Sequence, residues 1–336
     1  MMAAVPQLHP ERRGWTAAEL FDMEFPPIKW VVEDYIAEGL TVLAGKPKMG
    51  KSWLALAIAI AVARGDRVLG DRKCVQGSVL YAALEDPPRR LKDRLKKLCG
   101  SAGQGAWLPK LTFWTSGAMA RLDAGGLDQV RDWIKSNPDA RLVIIDTLAK
   151  VRSGLQGNEV AYQADYREIG GLKALADDTG VAVVLVTHVR KMGADDPFDT
   201  VSGTLGITGA ADTNMILTRD GRGVTLAATG RDIADIETAL EWDKDACLWR
   251  VLGDAKDVRR SDARTLMLET LNRATEPMSP REAATASSHP YDATRYLLAE
   301  MAKAGEVKKA GRGKYLHPDA SLTGLTASQN ENSPEP

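Results

Sequence analysis

The sequence predicts an α/β fold with a mostly parallel sheet, followed by a smaller helical domain. Three observations lead there. Up to about Leu252, apolar runs of strand length alternate with helical stretches. One of those runs, Leu40-Thr41-Val42-Leu43-Ala44, passes through a glycine-containing loop into the apolar, alanine-rich stretch Trp53 to Ala63. From Arg259 the pattern changes to short amphipathic helices closed by a basic hairpin.

The loop is Gly45-Lys46-Pro47-Lys48-Met49-Gly50-Lys51-Ser52, a full G-x-x-x-x-G-K-[ST] pattern in the order strand, loop, helix that gives it meaning. In that geometry the loop amides and the helix N-terminus converge on the β- and γ-phosphates of a bound nucleotide. Lys51 brings a fixed positive charge there, and the Ser52 hydroxyl is placed to ligate Mg²⁺. Gly50 is required where backbone approaches phosphate and a Cβ would obstruct. The expected ligands are ATP and Mg²⁺, with Gly45, Lys46, Pro47, Lys48, Met49, Gly50, Lys51, Ser52 and Trp53 lining the nucleotide site.

The remaining elements follow in order. Gly77 to Leu84 is a buried strand ending in Glu85-Asp86, a carboxylate pair on the rim where open α/β sheets bind ligands, and its strand is expected beside that of the P-loop. Pro87-Pro88 and a basic helix from Arg89 to Lys97 come next, then a short strand at Leu111-Thr112-Phe113-Trp114 and an amphipathic helix from Leu127 to Lys135. Arg141 to Asp146 has the form of a Walker B strand, whose Asp146 holds Mg²⁺ through water. After a polar loop (Ser153 to Glu159) and a helix (Tyr166 to Thr179), the strand Val181 to Thr187 ends in His188, with Arg190 and Lys191 following. A lone histidine is most often structural, and this one stands at a strand end where a sensing role is open to it. Met192 to Thr208 reads as a mobile loop. Asn214 to Thr218, Val224 to Ala228 and Thr238 to Trp242 are the closing strands, the first two joined by the hairpin signal Asp220-Gly221-Arg222-Gly223.

Composition excludes several classes. With 336 residues, 44% hydrophobic and 26% charged, the chain has material for a large core and more than one domain. A formal net charge of −1 leaves nucleic-acid binding to local basic patches. Cys74, Cys99 and Cys247 lack CxxC spacing and read as reduced thiols. Pro6, Pro10 and the Glu-Arg-Arg run interrupt any export signal, and Trp53 to Ala63 is too short to span a bilayer, so the expectation is a cytoplasmic protein without a membrane partner.

The motif order resembles that of the RecA-like ATPases. A strand ends in Leu84-Glu85 soon after the P-loop helix, and Asp146 and then Thr187-His188 close two further strands. A Ser202-Gly203 loop then leads to Gly209-Ala210-Ala211-Asp212 and Thr229-Gly230-Arg231-Asp232. Within that group the chain looks most like the RepA-type hexameric helicases of plasmids and phages, AAA-family ATPases, over roughly Trp30 to Leu252. The resemblance implies an ATP-driven DNA helicase that forms a homo-oligomeric ring, a hexamer in that family, in replication of a mobile element, with single-stranded DNA passing through the ring. It also implies roles: Glu85 as the catalytic glutamate that polarises water, His188 as γ-phosphate sensor, and Arg231 as an arginine finger completing a neighbour's site. The plain alternatives are a helix-start acid for Glu85 and a solvated surface charge for Arg231. Two positions depart from the pattern. Lys48 stands where glycine is common, and Thr229 stands where related replicative helicases place a lysine.

Beyond Arg259, Ser261 to Ala274 reads as a helix with Ser261 as N-cap, Ser279-Pro280-Arg281-Glu282 starts a second, and His289 to Gly305 carries a third with Tyr296, Leu297 and Met301 inward. The basic hairpin Glu306 to Leu316 completes what resembles a winged helix. Lys308, Lys309, Arg312 and Lys314, with Arg295, are the candidate contacts to duplex DNA phosphates. The expected division is an N-terminal arm or cap over 1–38, packed on its own core, an ATPase domain over 39–255, a winged-helix-like domain over 259–318 and a disordered tail over 321–336. Two other functions stay open: a non-translocating DNA-associated ATPase such as a loader, recombination mediator or switch, and a DNA-binding regulator acting mainly through the winged helix.

Overall fold

The structure is a computed structural model that describes residues 14–25, 27–99, 108–153, 161–189, 205–220, 223–311 and 313–320. The loop calls on residues 154–159, 190–204 and 221–222, the cation Arg312 and the tail 321–336 lie outside them. The chain forms two compact units, Met1–Leu252 and Gly253–Pro336.

The first unit opens with α1 (Ala17–Asp22), β1 (Trp30–Val32), β2 (Ile36–Ala37) and β3 (Leu40–Gly45). These are followed by α2 (Lys51–Arg64), β4 (Arg67–Val68), β5 (Arg72–Lys73), β6 (Ser78–Ala83), α3 (Pro88–Cys99), β7 (Leu111–Thr115) and α4 (Gly126–Ser136). Next come β8 (Ala140–Asp146), α5 (Leu148–Val151), α6 (Ala161–Thr179), β9 (Ala182–Val186) and α7 (Leu205–Ala210). The unit closes on β10 (Thr213–Asp220), β11 (Gly223–Gly230), β12 (Ile236–Asp243) and β13 (Leu248–Asp254).

A nine-stranded sheet runs in the order β13-β12-β11-β10-β3-β9-β8-β6-β7. From β10 to β7 every neighbour is parallel, and β10, β11 and β12 are antiparallel in turn, so the expected α/β class with a mostly parallel sheet is what forms. The central strands are apolar on both faces because each face is covered. On β8, Leu142 and Ile144 join the core layer of α2, while Val143 and Ile145 join that of α6, where Ile169, Leu172 and Leu175 pack. Helix α2 is apolar almost all round and correspondingly buried.

The structure corrects several expectations. The strand bearing Glu85, β6, is not beside the P-loop strand β3, because β9 and β8 lie between them. Within the 1–38 segment, Val31, Val32, Tyr35 and Ile36 do pack in the main core. The arm helix α1 keeps its Thr16/Glu19 capping box but leaves Phe21 91% and Phe25 56% exposed, so these aromatics do not pack on their own core as expected. Strand β13 has no counterpart among the strands read from the sequence. Cys74, Cys99 and Cys247 are all free, and burial pushes the Cys74 thiol up to about 12. Among the described residues no helix is long and apolar enough to cross a membrane.

The second unit holds α8 (Ala255–Arg273), α9 (Pro280–Ser287), α10 (Tyr291–Lys303), β14 (Lys308–Lys309) and β15 (Tyr315–Leu316) around Met267, Leu271, Ala283, Leu298, Met301, Val307 and Tyr315. Helix α8 starts earlier than expected because Asp254 caps it, accepting from the Lys256 N–H at 2.8 Å, which leaves Ser261 inside the helix. On α10 the inward face is Thr294, Leu298 and Met301, and Tyr296 is 65% exposed rather than inward. Met278 bridges to Tyr315 beside the β14/β15 hairpin.

Asp212, from the Gly209-Ala210-Ala211-Asp212 motif, pins the start of β3. Its carboxylate accepts from the Leu40 N–H at 2.8 Å, its own N–H donates to the Leu40 carbonyl at 2.9 Å, and Lys173 lies 3.2 Å from its second oxygen. Asp212→Ala strands the Leu40 amide and is expected to lower the unfolding free energy by about 1–3 kcal/mol. Asp212→Asn keeps an acceptor and loses only a partly exposed ion pair, at under about 1 kcal/mol. Chemical denaturation of the two variants checks the order; equal losses would show that the ion pair, not the amide, carries the pin.

Candidate active site

The P-loop is shaped by two glycines that nothing else can replace. A Cβ on Gly45 would meet the Leu217 carbonyl oxygen at 2.7 Å, and one on Gly50, which has φ +90°, would meet the Trp249 ring at 2.9 Å. Lys48 takes φ +63° with its side chain exposed on the wall of the cleft, so this departure from glycine costs about 1 kcal/mol of backbone strain. Gly50 caps α2 without a side chain, which leaves the helix N-terminus to an anionic ligand.

Lys51 is buried at 5% exposure. Its ammonium donates to the Gly45 carbonyl at 2.7 Å and the Lys46 carbonyl at 3.1 Å, and stands 3.1 Å from His188 Nδ1. An ammonium has only donors, so His188 accepts on Nδ1 and carries its proton on Nε2. Burial lowers the Lys51 pKa to about 8, against the opposing charges of Asp146 and Glu85. His188, just beyond the end of β9 and next to β3, is thus joined to the P-loop lysine.

Asp146, 4% exposed at the end of β8, accepts from the Tyr81 hydroxyl at 2.8 Å and from the Ser52 hydroxyl. Burial raises its pKa, while those two hydrogen bonds oppose the rise. A buried carboxylate joined to a hydroxyl is a pair of hard oxygen donors. Among the described residues no cluster of three or more ligating side chains exists. The arrangement fits Mg²⁺, which keeps several waters and takes few protein ligands beside substrate phosphates.

Of the carboxylate pair, Asp86 is 6% exposed and paired with Arg90 at 3.0 Å and with Arg94. Glu85 is exposed toward a cleft of about 640 Å³ that it shares with the P-loop, Asp146, Thr147 and His188, and it accepts from the Thr147 hydroxyl at 3.4 Å. The structure therefore gathers Gly45 to Trp53, Glu85, Asp146 and His188 at one end of the sheet. Arg231 lies elsewhere. It follows Gly230, which pairs with Thr213, itself in register with Thr41 near the start of β3, so it sits at the sheet edge opposite the P-loop, exposed and donating to the Gly209 carbonyl at 3.3 Å.

Sequence reasoning missed Tyr81, Arg94, Arg219, Trp242 and Trp249, all of which touch or line this site. Tyr81 is one residue in a continuous apolar strand, and Trp249 lies on β13, which the sequence pattern does not mark, so neither carried a local signal.

Lys51 in the free protein gives up its proton near pH 8, whereas bound phosphate would retain it, so binding above that pH takes up a proton. ATP affinity is expected to weaken by up to about tenfold per pH unit above about pH 8, and Lys51→Ala to remove that slope. Titration with a fluorescent non-hydrolysable ATP analogue between about pH 7 and 10 measures it. A wild-type slope equal to that of Lys51→Ala would show that Lys51 stays charged throughout.

Residues 6–194 match the AAA domain family. Among solved structures, an ATPase domain from another protein aligns with a TM-score of 0.50 at 17% identity, covering 64% of this chain and 85% of that one. A DnaB-like replicative helicase, solved to show its interactions with primase, gives 0.48 at 16% identity, over 64% of this chain and 58% of its own. A KaiC-like protein from Pyrococcus horikoshii gives 0.45 at 13%, over 66% and 93%. At these identities the likeness speaks for fold, and the first of the three carries it. With more than half of its length matched and its P-loop, Walker B strand and sheet in place, the chain belongs to the AAA domain family and has a RecA-like P-loop ATPase core.

Proposed function

We propose that this protein is an Mg²⁺-dependent ATPase of the RepA type that acts in the cytoplasm as a homo-oligomeric ring helicase, a hexamer, on DNA during replication of a mobile element. One observation carries the proposal: the phosphate-binding and hydrolytic groups converge at one end of the sheet while Arg231 stands at the other. A site completed by Arg231 must then borrow it from a second copy through a head-to-tail contact, the kind that builds a ring where its rotation closes.

In this scheme Lys51 leaves the Gly45 and Lys46 carbonyls for the β- and γ-phosphates of ATP. Ser52 and Asp146 would hold Mg²⁺, which would supply neutralisation of the phosphate charge. Glu85, oriented by Thr147, accepts the proton of the attacking water. His188 exchanges its contact with Lys51 for one that depends on the γ-phosphate, and so reports nucleotide state to the chain that follows. Arg231 of a neighbour stabilises charge on the transferring phosphoryl group.

The second unit is proposed as a winged helix that contacts duplex DNA while single-stranded DNA passes through the ring. Lys308, Lys309, Lys314 and Arg295 are exposed, and exposed Tyr296 next to Arg295 adds an aromatic surface. Lys308 and Lys309 pair with Leu316 and Tyr315 in the hairpin, and both lysines are exposed where Tyr315 and Leu316 are buried.

ATP hydrolysis with and without single-stranded DNA, measured alongside strand displacement, tests the proposal. Single-stranded DNA is expected to stimulate hydrolysis, strand displacement to require it, and Lys51→Ala to abolish both while the protein stays folded. Stimulated hydrolysis without displacement would make the protein a non-translocating ATPase, and unchanged turnover in Lys51→Ala would remove the nucleotide assignment.

A further inference from the structure

Asp86 is the carboxylate that does not face the cleft, and its partners give it another use. Its side chain is 8% exposed and receives two guanidinium groups from the first turns of α3. Arg90 reaches it at 3.0 Å from a position 58% exposed, whereas Arg94 is only 17% exposed and bonds its other oxygen. Arg94 also lies over the indole of Trp53, 5.2 Å from its centroid. Trp53 directly follows Ser52 in the P-loop helix. Its other neighbour is Trp242 at 6.0 Å, which packs on Trp249 at 5.1 Å, and Trp249 donates its indole N–H to the Gly50 carbonyl at 3.3 Å.

These contacts form a continuous path. It runs from the phosphate-binding loop through Trp53 to Arg94, from Arg94 to Asp86, and through one peptide bond to Glu85. Glu85 itself sits on a turn, exposed, and accepts a long hydrogen bond from the Thr147 hydroxyl. The turn that carries Glu85 is held by the Leu84 N–H on the Asp146 carbonyl at 2.8 Å and the Asp86 N–H on the Ala83 carbonyl at 3.3 Å, and the buried Asp86 ion pairs anchor its far side. Arg94 is suited to the task because a planar guanidinium can bond a carboxylate through its edge and stack on an indole through its face at once; lysine cannot do both.

We propose that Arg94 is a positioning residue for hydrolysis, clamping Asp86 against Trp53 so that the Glu85 carboxylate stands at a fixed distance from the phosphates held by Lys51 and Ser52. The inference rests on Glu85 being the general base of the proposed function. It assigns Asp86, the neighbouring acid, to the clamp.

The test is a double-mutant cycle on the full-length protein with Arg94→Ala, Arg94→Lys, Glu85→Gln and the combinations, reading ATP turnover and the affinity of a non-hydrolysable ATP analogue separately. Arg94→Ala is expected to lower kcat about tenfold or more, since small displacements of a reacting group carry penalties of that order, with affinity changed by less than about threefold. Arg94→Lys, which keeps the charge and so guards against misfolding, is expected to fall between wild type and Arg94→Ala. In the Glu85→Gln background Arg94→Ala is expected to cost almost nothing further, because the group it positions is gone. The same fold-loss in both backgrounds would overturn the proposal, as would weakened analogue binding with kcat intact, which would make Arg94 part of the nucleotide seat. If Glu85→Gln alone turns over normally, the general-base reading fails instead, whatever Arg94 does.

Discussion

A lysine ammonium buried at the carboxyl end of a parallel sheet must be surrounded by acceptors, and the rest of the site is the set of groups that meet that need. Lys51 finds two carbonyls of its own loop and the ring of His188, with Asp146 and Glu85 supplying negative charge nearby. What brings these groups together is strand order. Because β3, β9, β8 and β6 lie side by side and parallel, the residues at their carboxyl ends, Lys51 beyond the loop, His188, Asp146 and Glu85, fall along one rim although the chain visits them far apart. In the proposed function, phosphate oxygens take the place of these carbonyls around Lys51, which ties the affinity of the site to the protonation of one side chain.

Much of this was legible in the sequence. The P-loop pattern, the apolar run ending in Asp146 and the acids after Leu84 are local signals, because a fully buried parallel strand is a continuous apolar run and its polar terminus marks the rim. Strand order was not legible. Leu40 to Ala44 and Gly77 to Leu84 follow one another as strands, and sequential strands often pair, yet β9, far along the chain, takes the place beside β3. Tyr81 and Arg94 escaped for a related reason. Their roles come from partners, Asp146 and Asp86, that only the fold brings near. In the second unit the helix period placed Met301 correctly but not Tyr296, since one exposed aromatic on an amphipathic helix has the same composition as one buried. Ser261 was a sound capping residue in isolation, overridden by Asp254 upstream of it.

The two ends of the sheet give the protein a polarity. One edge carries the nucleotide cleft; the other carries Arg231, close to Asp212 and the start of β3. A surface arginine bonded to a backbone carbonyl is worth little to stability, and the proposed function gives it a use across a subunit boundary. In our account the neighbour's cleft is that place, and the same contact that completes the site makes the protein an assembly.

Mixing two inactive variants measures this most directly. Lys51→Ala removes the phosphate lysine and Arg231→Ala the proposed finger, whose loss is expected to cost about 10³-fold or more in rate. If Arg231 acts in trans, co-assembled mixtures regain ATP turnover at interfaces that pair an intact P-loop with an intact neighbouring arginine. Mixtures that co-assemble and remain inactive, or an Arg231→Ala protein that turns over like wild type, would contradict the account.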